Sequence, residues 1–252
     1  MQRPQAVEQA ETGFFGKLPS RGDFLSRRLP SGFVEVWDAW LQAGISSSRR
    51  ELGEAWAGYY VEAPVWRFFI PPRIVTERAW IGIFLPSLDR VGRHFPLTIA
   101  AGLARDHLDG PATLGAACEW LAALESVALD ALKPGVTLED FDARLVALPF
   151  PLAAAKRLDP GAASALSMRA DSGFLAFALE PDERPVSERS PSPLERVAQR
   201  FALWWTTGSE VRPACVLASV SLPAGPRFCA LLDGRWTEHG WSAGCSLKDN
   251  GV

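Results

Sequence analysis

The chain has 252 residues, 48% hydrophobic and 22% charged, with a formal net charge of -3. That is globular composition, long enough for a substantial core, and its acidic balance argues against a general nucleic-acid binder, which needs a basic face. Ten Trp against two Tyr point to a large core, a binding surface, or both.

Residues 1–12, MQRPQAVEQAET, hold no apolar run and are expected to be a flexible tail. They do not resemble a signal peptide, and no window approaches the roughly 20 apolar residues of a membrane span. The four cysteines, at 118, 215, 229 and 245, form no C-x-x-C pair. Reduced, buried thiols in the cytoplasm are therefore expected.

Phe14-Phe15 is a short strand candidate, followed by the loop LPSRGDFLSRRLPSG. From Phe33 the pattern is helical, with Val36, Trp37, Trp40 and Leu41 on one stripe. A second short helix is predicted over Arg49 to Trp56. VWRFFI (65–70), WIGIFL (80–85) and FPLTIAAGL (95–103) read as strands. Their connections are too short for parallel crossovers, so an antiparallel meander is expected.

After Pro111 a long helix carries Leu121, Leu124 and Ala128 inward, and Pro134-Gly135 stops it. Thr137-x-x-Asp140 resembles a capping box that opens another helix. SALSMRA (164–170) and FLAFAL (174–179) read as a hairpin, and PDERPVSERSPSP (181–193) as an exposed loop. Ser192-Pro193-Leu194-Glu195 then predicts a helix running to Trp204-Trp205 and ended by Gly208. ACVLASV (214–220) and RFCALL (227–232) read as the last strands.

Helices interrupting strands of this kind suit a sheet buried on both faces. The fold class read here is α/β: a single three-layer domain over 13–240, with a mixed, largely antiparallel central sheet flanked by helices. Residues 241–252 are expected to be a C-terminal tail.

Gly16-Lys17 fails as a phosphate-binding loop, because the glycine cage and the hydroxyl after the lysine are missing. Arg21-Gly22-Asp23 is better read as a turn. His94, His107 and His239 have no metal-ligand spacing, and no G-x-S-x-G elbow appears. The sequence thus offers no catalytic set, no metal site and no cofactor motif.

Two loops do gather charge. PSLDRVGRHFP (86–96) holds Ser87, Asp89, Arg90, Arg93 and His94. Residues 13–34 carry Lys17, Arg21, Arg27 and Arg28 against Asp23, while 119–142 carry six acids against Lys133. If the two loops are neighbours, Lys17, Arg21, Arg90 and Arg93 form a basic corner that steers acidic partners. Of Trp204 and Trp205, one is expected in the core and the other partly exposed at a helix end.

GFFGKLPSRGDFLSRRLP, WDAWL, SRRELGEAW, APVWRFFI, PSLDRVGRHFPL and LWWTTGS, in that order, resemble the TagF family of type VI secretion accessory proteins. The resemblance implies a cytoplasmic, non-enzymatic repressor of apparatus assembly or firing. Its implied partner is the forkhead-associated scaffold protein Fha, with neither nucleic acid nor membrane insertion. The family's words fall on Gly16, Lys17, Arg21, Asp23, Trp66, Ser87, Asp89, Arg90, Arg93, Pro96, Trp204, Trp205 and Thr206. Trp66, inside an apolar strand, is expected in the core. Of the others, Lys17, Arg21, Asp23, Ser87, Asp89, Arg90, Arg93, Trp204, Trp205 and Thr206 are candidates for partner or ligand binding. The rival readings are an enzyme, or a degenerate one, holding a small anion in the Lys17–Arg93 corner, and a structural baseplate component.

Overall fold

The computed structural model describes residues 11–103, 110–150, 174–178, 201–208 and 212–243. Among these, nine strands form one sheet: β1 (Thr12–Gly16), β2 (Leu25–Arg27), β3 (Trp66–Ile70), β4 (Ala79–Leu85), β5 (Leu97–Leu103), β6 (Phe174–Ala178), β7 (Ala202–Thr206), β8 (Cys215–Ser219) and β9 (Ser242–Ala243). Their order is β2-β1-β5-β4-β3-β7-β8-β6-β9. Every pairing is antiparallel except β6 with β9. The expected meander is β3-β4-β5, with Trp66 opposite Phe84 and Leu85 opposite Leu97.

Alternation along the strands divides the interior into two cores. Ile81, Ile83 and Leu85 of β4 and Leu203 and Trp205 of β7 pack with residues of α3 (Gly110–Ala131) and α4 (Leu138–Val146). Trp80 and Phe84 of β4 and Trp204 of β7 pack with α1 (Ser31–Leu52), α2 (Trp56–Val61) and α5 (Pro226–Asp233). The second core is built of rings. Trp37 stacks on Phe33 at 5.2 Å and lies 6.2 Å from Trp204. The indole N–H groups of these two tryptophans donate to Thr98 Oγ1 and Ser219 Oγ. Buried Trp thus keeps its polar atom satisfied. On the other face the Arg67 guanidinium of β3 grips Glu125 of α3 through two bonds, of 2.6 and 2.9 Å.

Thr137 caps α4 as expected, its hydroxyl accepting the Asp140 N–H at 3.1 Å. Three expectations fail. First, α1 runs unbroken to Leu52, and a 3-10 turn over Gly53–Ala55 leads into α2. Second, Trp204 and Trp205 lie in strand β7, not at a helix end, and both are buried. A strand sends neighbouring side chains to opposite faces, so each tryptophan enters its own core. Third, RFCALL is helical, lying in α5. Pro226 sits in its first turn, and Gly234 closes it in the left-handed conformation (φ 74°). Packing also continues past residue 240. Trp241 is buried, and its indole donates to Arg227 O at 3.1 Å. Residues 164–170, 181–193 and the start of the helix expected from Ser192 lie outside the described residues.

No helix among the described residues is long and apolar enough to cross a membrane.

Candidate functional site: two loops joined at one end of the sheet

β1 ends at Gly16, whose φ of 135° and close approach to Pro96 O admit no side chain. A Cβ there would fall 2.1 Å from that oxygen. The chain leaves the sheet directly beside the β4–β5 loop, and the two loops are joined by several bonds. Ser87 Oγ donates to Lys17 O at 2.7 Å. The Arg90 N–H donates to Arg21 O at 2.9 Å. Arg93 Nη2 donates to Gly22 O at 2.5 Å. The expected convergence of Lys17, Arg21, Asp89 and Arg93 is therefore present.

Asp89 organises the junction. Its Oδ1 accepts the N–H groups of Val91 and Arg93, at 3.0 and 2.9 Å. Its Oδ2 accepts Lys17 Nζ at 2.8 Å and Arg93 Nε at 2.6 Å. Burial by itself raises the Asp89 pKa. The bonds from Lys17 and from the Arg93 and Val91 groups outweigh that and hold the carboxyl well below the usual carboxylate range. Below the pair, the Tyr60 hydroxyl donates to Ser87 O at 3.0 Å and accepts the Ser87 N–H at 3.2 Å. Burial pushes that phenol's pKa up, against smaller opposing effects from Ser87 and Arg49. His94 lies edge-on to Trp56 and Tyr60, at 5.1 and 5.0 Å. Burial, then the Arg49 charge, lowers its pKa.

The charge of this corner differs from the sequence expectation. Lys17 is buried and neutralised by Asp89. Arg21 pairs with Glu139 at 2.9 Å, and Arg27 and Arg28 both pair with Asp142. The acids of α4 therefore answer the arginines of the first loop. Arg90 stays exposed, with no side-chain partner among the described residues. Arg93 shows solvent its outer edge, its side chain being 61% exposed. Asp23 is exposed as well. Phe24, 51% exposed, and Val91, 67% exposed, stand beside these charges. Phe24 is braced by Phe95 at 4.7 Å and lies 4.9 Å from Lys17 Nζ.

Ser87 is a buried strut rather than a contact residue. Trp204, Trp205 and Thr206, candidates from sequence, are buried in β7 away from the joined loops. Sequence reasoning passed over Tyr60, because nothing in AGYYVEA marks a tyrosine that will hold a loop 27 residues away. Phe24 was legible in principle: an aromatic between charged turn residues has no strand or helix to bury it.

The corner thus consists of a buried ion pair, its carboxylate accepting four bonds, beneath an outer surface of arginine and apolar side chains. The TagF N-terminal domain, type VI secretion system-associated, matches residues 13–148. That span takes in both loops and the acids of α4. The crystal structure of PA0076 from Pseudomonas aeruginosa PAO1 is similar, with a TM-score of 0.70 and 36% identity over 89% of this chain and 95% of that one. No curated protein matches the chain. With more than half its length matched by the family model, the chain belongs to the TagF family and is a type VI secretion system-associated protein.

Proposed function

We propose that this protein is a cytoplasmic negative regulator of type VI secretion, and that it acts by binding a forkhead-associated scaffold protein. The contact surface in this reading is the outer face of the two joined loops: Phe24, Arg90, Val91 and Arg93. The observation that carries it is the combination of exposed apolar side chains and arginine on a rigid base. Arg and aromatic anchors dominate protein interfaces, and a preordered surface loses little entropy on binding. The buried Lys17–Asp89 pair supplies that order.

The rival reading, a small anion held between Lys17 and Arg93, loses its main cation, because Asp89 already occupies Lys17. The test is the double variant Phe24→Ser/Arg90→Glu. We expect at least a tenfold loss of scaffold affinity, ~1.4 kcal/mol, with an unchanged circular dichroism spectrum and relief of repression in cells. Unchanged affinity in a folded double variant would remove this surface as the docking site.

A further inference from the structure

We propose that Arg212, with the cleft beside it, forms a carboxylate-binding site separate from the joined loops. The cleft lies where β7 turns into β8. Gly208 (φ 85°) lies close to the start of the returning chain: a Cβ on it would fall 2.8 Å from both Ala214 N and Arg212 O. The Arg212 guanidinium lies beside Gly234 at the end of α5. Trp66, Thr206, Cys215, Gly234 and Trp236 form the other walls. Its innermost space, about 20 Å³, is of the size of one water or one small polar group, within about 260 Å³ of empty space that is continuous with solvent.

Two observations point to an anion. The Arg212 Nε–H is buried and has no acceptor among the described residues. A buried charged donor without a partner is costly, and such groups rarely persist without a role. The remaining groups leave it in that state. Trp66 Nε1 donates to Leu231 O at 2.9 Å, so that wall is apolar toward the cleft. Two acids, Asp233 and Glu62, lie near enough to feel the Arg212 charge, but neither accepts the Nε–H, and Asp233 is taken by Arg235 at 2.8 Å and by His239 at 2.7 Å. The ring of Tyr59, 5.6 Å from the guanidinium carbon, gives Arg212 a shelf without satisfying Nε. Secondly, Thr206 Oγ1 accepts the Gly208 N–H at 3.1 Å, which leaves its own hydrogen free to donate into the cleft.

A guanidinium edge offering Nε and Nη matches a planar two-oxygen anion. A carboxylate head fits the inner space, and the two indoles suit a short apolar body behind it. The same chemistry is supplied by a free small acid or by an acidic side chain of a protein partner. The second source is geometrically open. The start of β3, the ends of β4 and β7 and the start of β5 share one end of the sheet, as their registers show. Cleft and joined loops therefore lie at the same end of the sheet. The site does not depend on the docking proposal.

The test follows the Arg212 Nε–H resonance and the Trp66 and Trp236 indole resonances. Sodium acetate is titrated against sodium chloride of equal ionic strength, with acetamide as the uncharged isostere. We expect a saturable acetate shift at about 1–10 mM, absent with chloride and acetamide and lost in Arg212→Gln. Thermal unfolding of Arg212→Met gives a second, independent readout. Its midpoint should equal or exceed that of the wild type without acetate, because the unsatisfied buried Nε–H is gone. Saturation by acetate alone assigns the site to a free small acid. A shift of the same resonances produced only by the purified scaffold assigns it to a partner's acidic side chain. A response to acetate no larger than to chloride, together with no response to the scaffold, overturns the proposal. So does a marked fall in the Arg212→Met midpoint, which would make Arg212 a structural residue.

Discussion

Lys17 and Asp89, 72 residues apart in sequence, meet at 2.8 Å with side chains 6% and 0% exposed. This ion pair is the buried one among the contacts that join the loop after β1 to the loop between β4 and β5. Removing one member of a buried pair strands the other without compensation, which costs far more than the pair contributes net.

A double-mutant cycle tests that asymmetry. Lys17→Met and Asp89→Asn should each lower the urea midpoint clearly. The double variant should recover part of the loss, because neither charge is then left alone. Strict additivity of the two single effects would show that the pair is not coupled. Arg93→Ala, which removes a mostly exposed partner, should cost less than Asp89→Asn.

The same carboxylate predicts an acid limb of stability. The folded Asp89 pKa is depressed, so an unfolded chain binds a proton there more readily than the folded one. The stabilisation is thus complete above the unfolded value, ~3.9, and is lost as pH falls through and below it. Asp142 adds to this in the same direction: burial raises its pKa, but the bonds from Arg28 and Arg27 outweigh that. Thermal midpoints measured from pH 7 to pH 3 should fall on the acid side, and Asp89→Asn should flatten the fall. An equal slope in the variant would show that other carboxyls govern it.

Helix α1 crosses α5 at Gly44, where a Cβ would lie 2.3 Å from the Phe228 ring. Two effects compete in Gly44→Ala. Helix propensity gains up to ~1 kcal/mol, and overpacking a closed core loses ~1–3 kcal/mol. Phe228 is 1% exposed and has no room to yield, so the loss should win. Chemical denaturation should show a net loss in Gly44→Ala, and a smaller one when Phe228→Leu is added. A more stable Gly44→Ala would mean that the two helices separate easily.

How far the sequence could be read depends on what each period distinguishes. The i, i+3, i+4 stripe from Phe33 to Leu41 and the three apolar runs between 65 and 103 admit few arrangements, and α1 and the meander follow. The Trp204-Trp205 pair was misread because Val197, Phe201 and Trp204 also satisfy a helical spacing. Two adjacent buried indoles are better housed by a strand with a core on each side. RFCALL is too short for its period to separate helix from strand, but Pro226 and Gly234 carried the helical punctuation. The loop junction was visible as charge, yet its pairing was not. Nothing in the order of residues says that Glu139 and Asp142 will neutralise Arg21, Arg27 and Arg28.

Burial also predicts thiol behaviour. Cys215 is buried in β8, and desolvation pushes its pKa up to about 12. The thiolate is the reactive form, so Cys215 should resist alkylation at pH 8 in the folded protein and react on unfolding. Peptide mapping after labelling under native and denaturing conditions decides this. Rapid native labelling of Cys215 would require that β8 open readily.

The last prediction separates the core from the surface. Trp66 is 2% exposed, its indole N–H donates to Leu231 O at 2.9 Å, and its ring meets Trp236 edge-on at 5.8 Å. Truncation to Ala removes a large ring and leaves Leu231 O without its donor, for a loss of ~3–5 kcal/mol. That is a large share of the ~5–15 kcal/mol that holds a typical domain together. Arg93 has its side chain 61% exposed, and its bonds to Asp89 and Gly22 O lie at the solvent boundary. Water can replace much of what Ala removes, so Arg93→Ala should cost only about 1 kcal/mol. Its effect on a charged partner should be larger, ~2–5 kcal/mol, or more than tenfold in affinity. Thermal unfolding and scaffold binding, measured on both variants, should therefore rank them in opposite orders. If Arg93→Ala unfolds as readily as Trp66→Ala, Arg93 is a brace for the loop junction. If it folds and binds like the wild type, the partner meets the protein elsewhere.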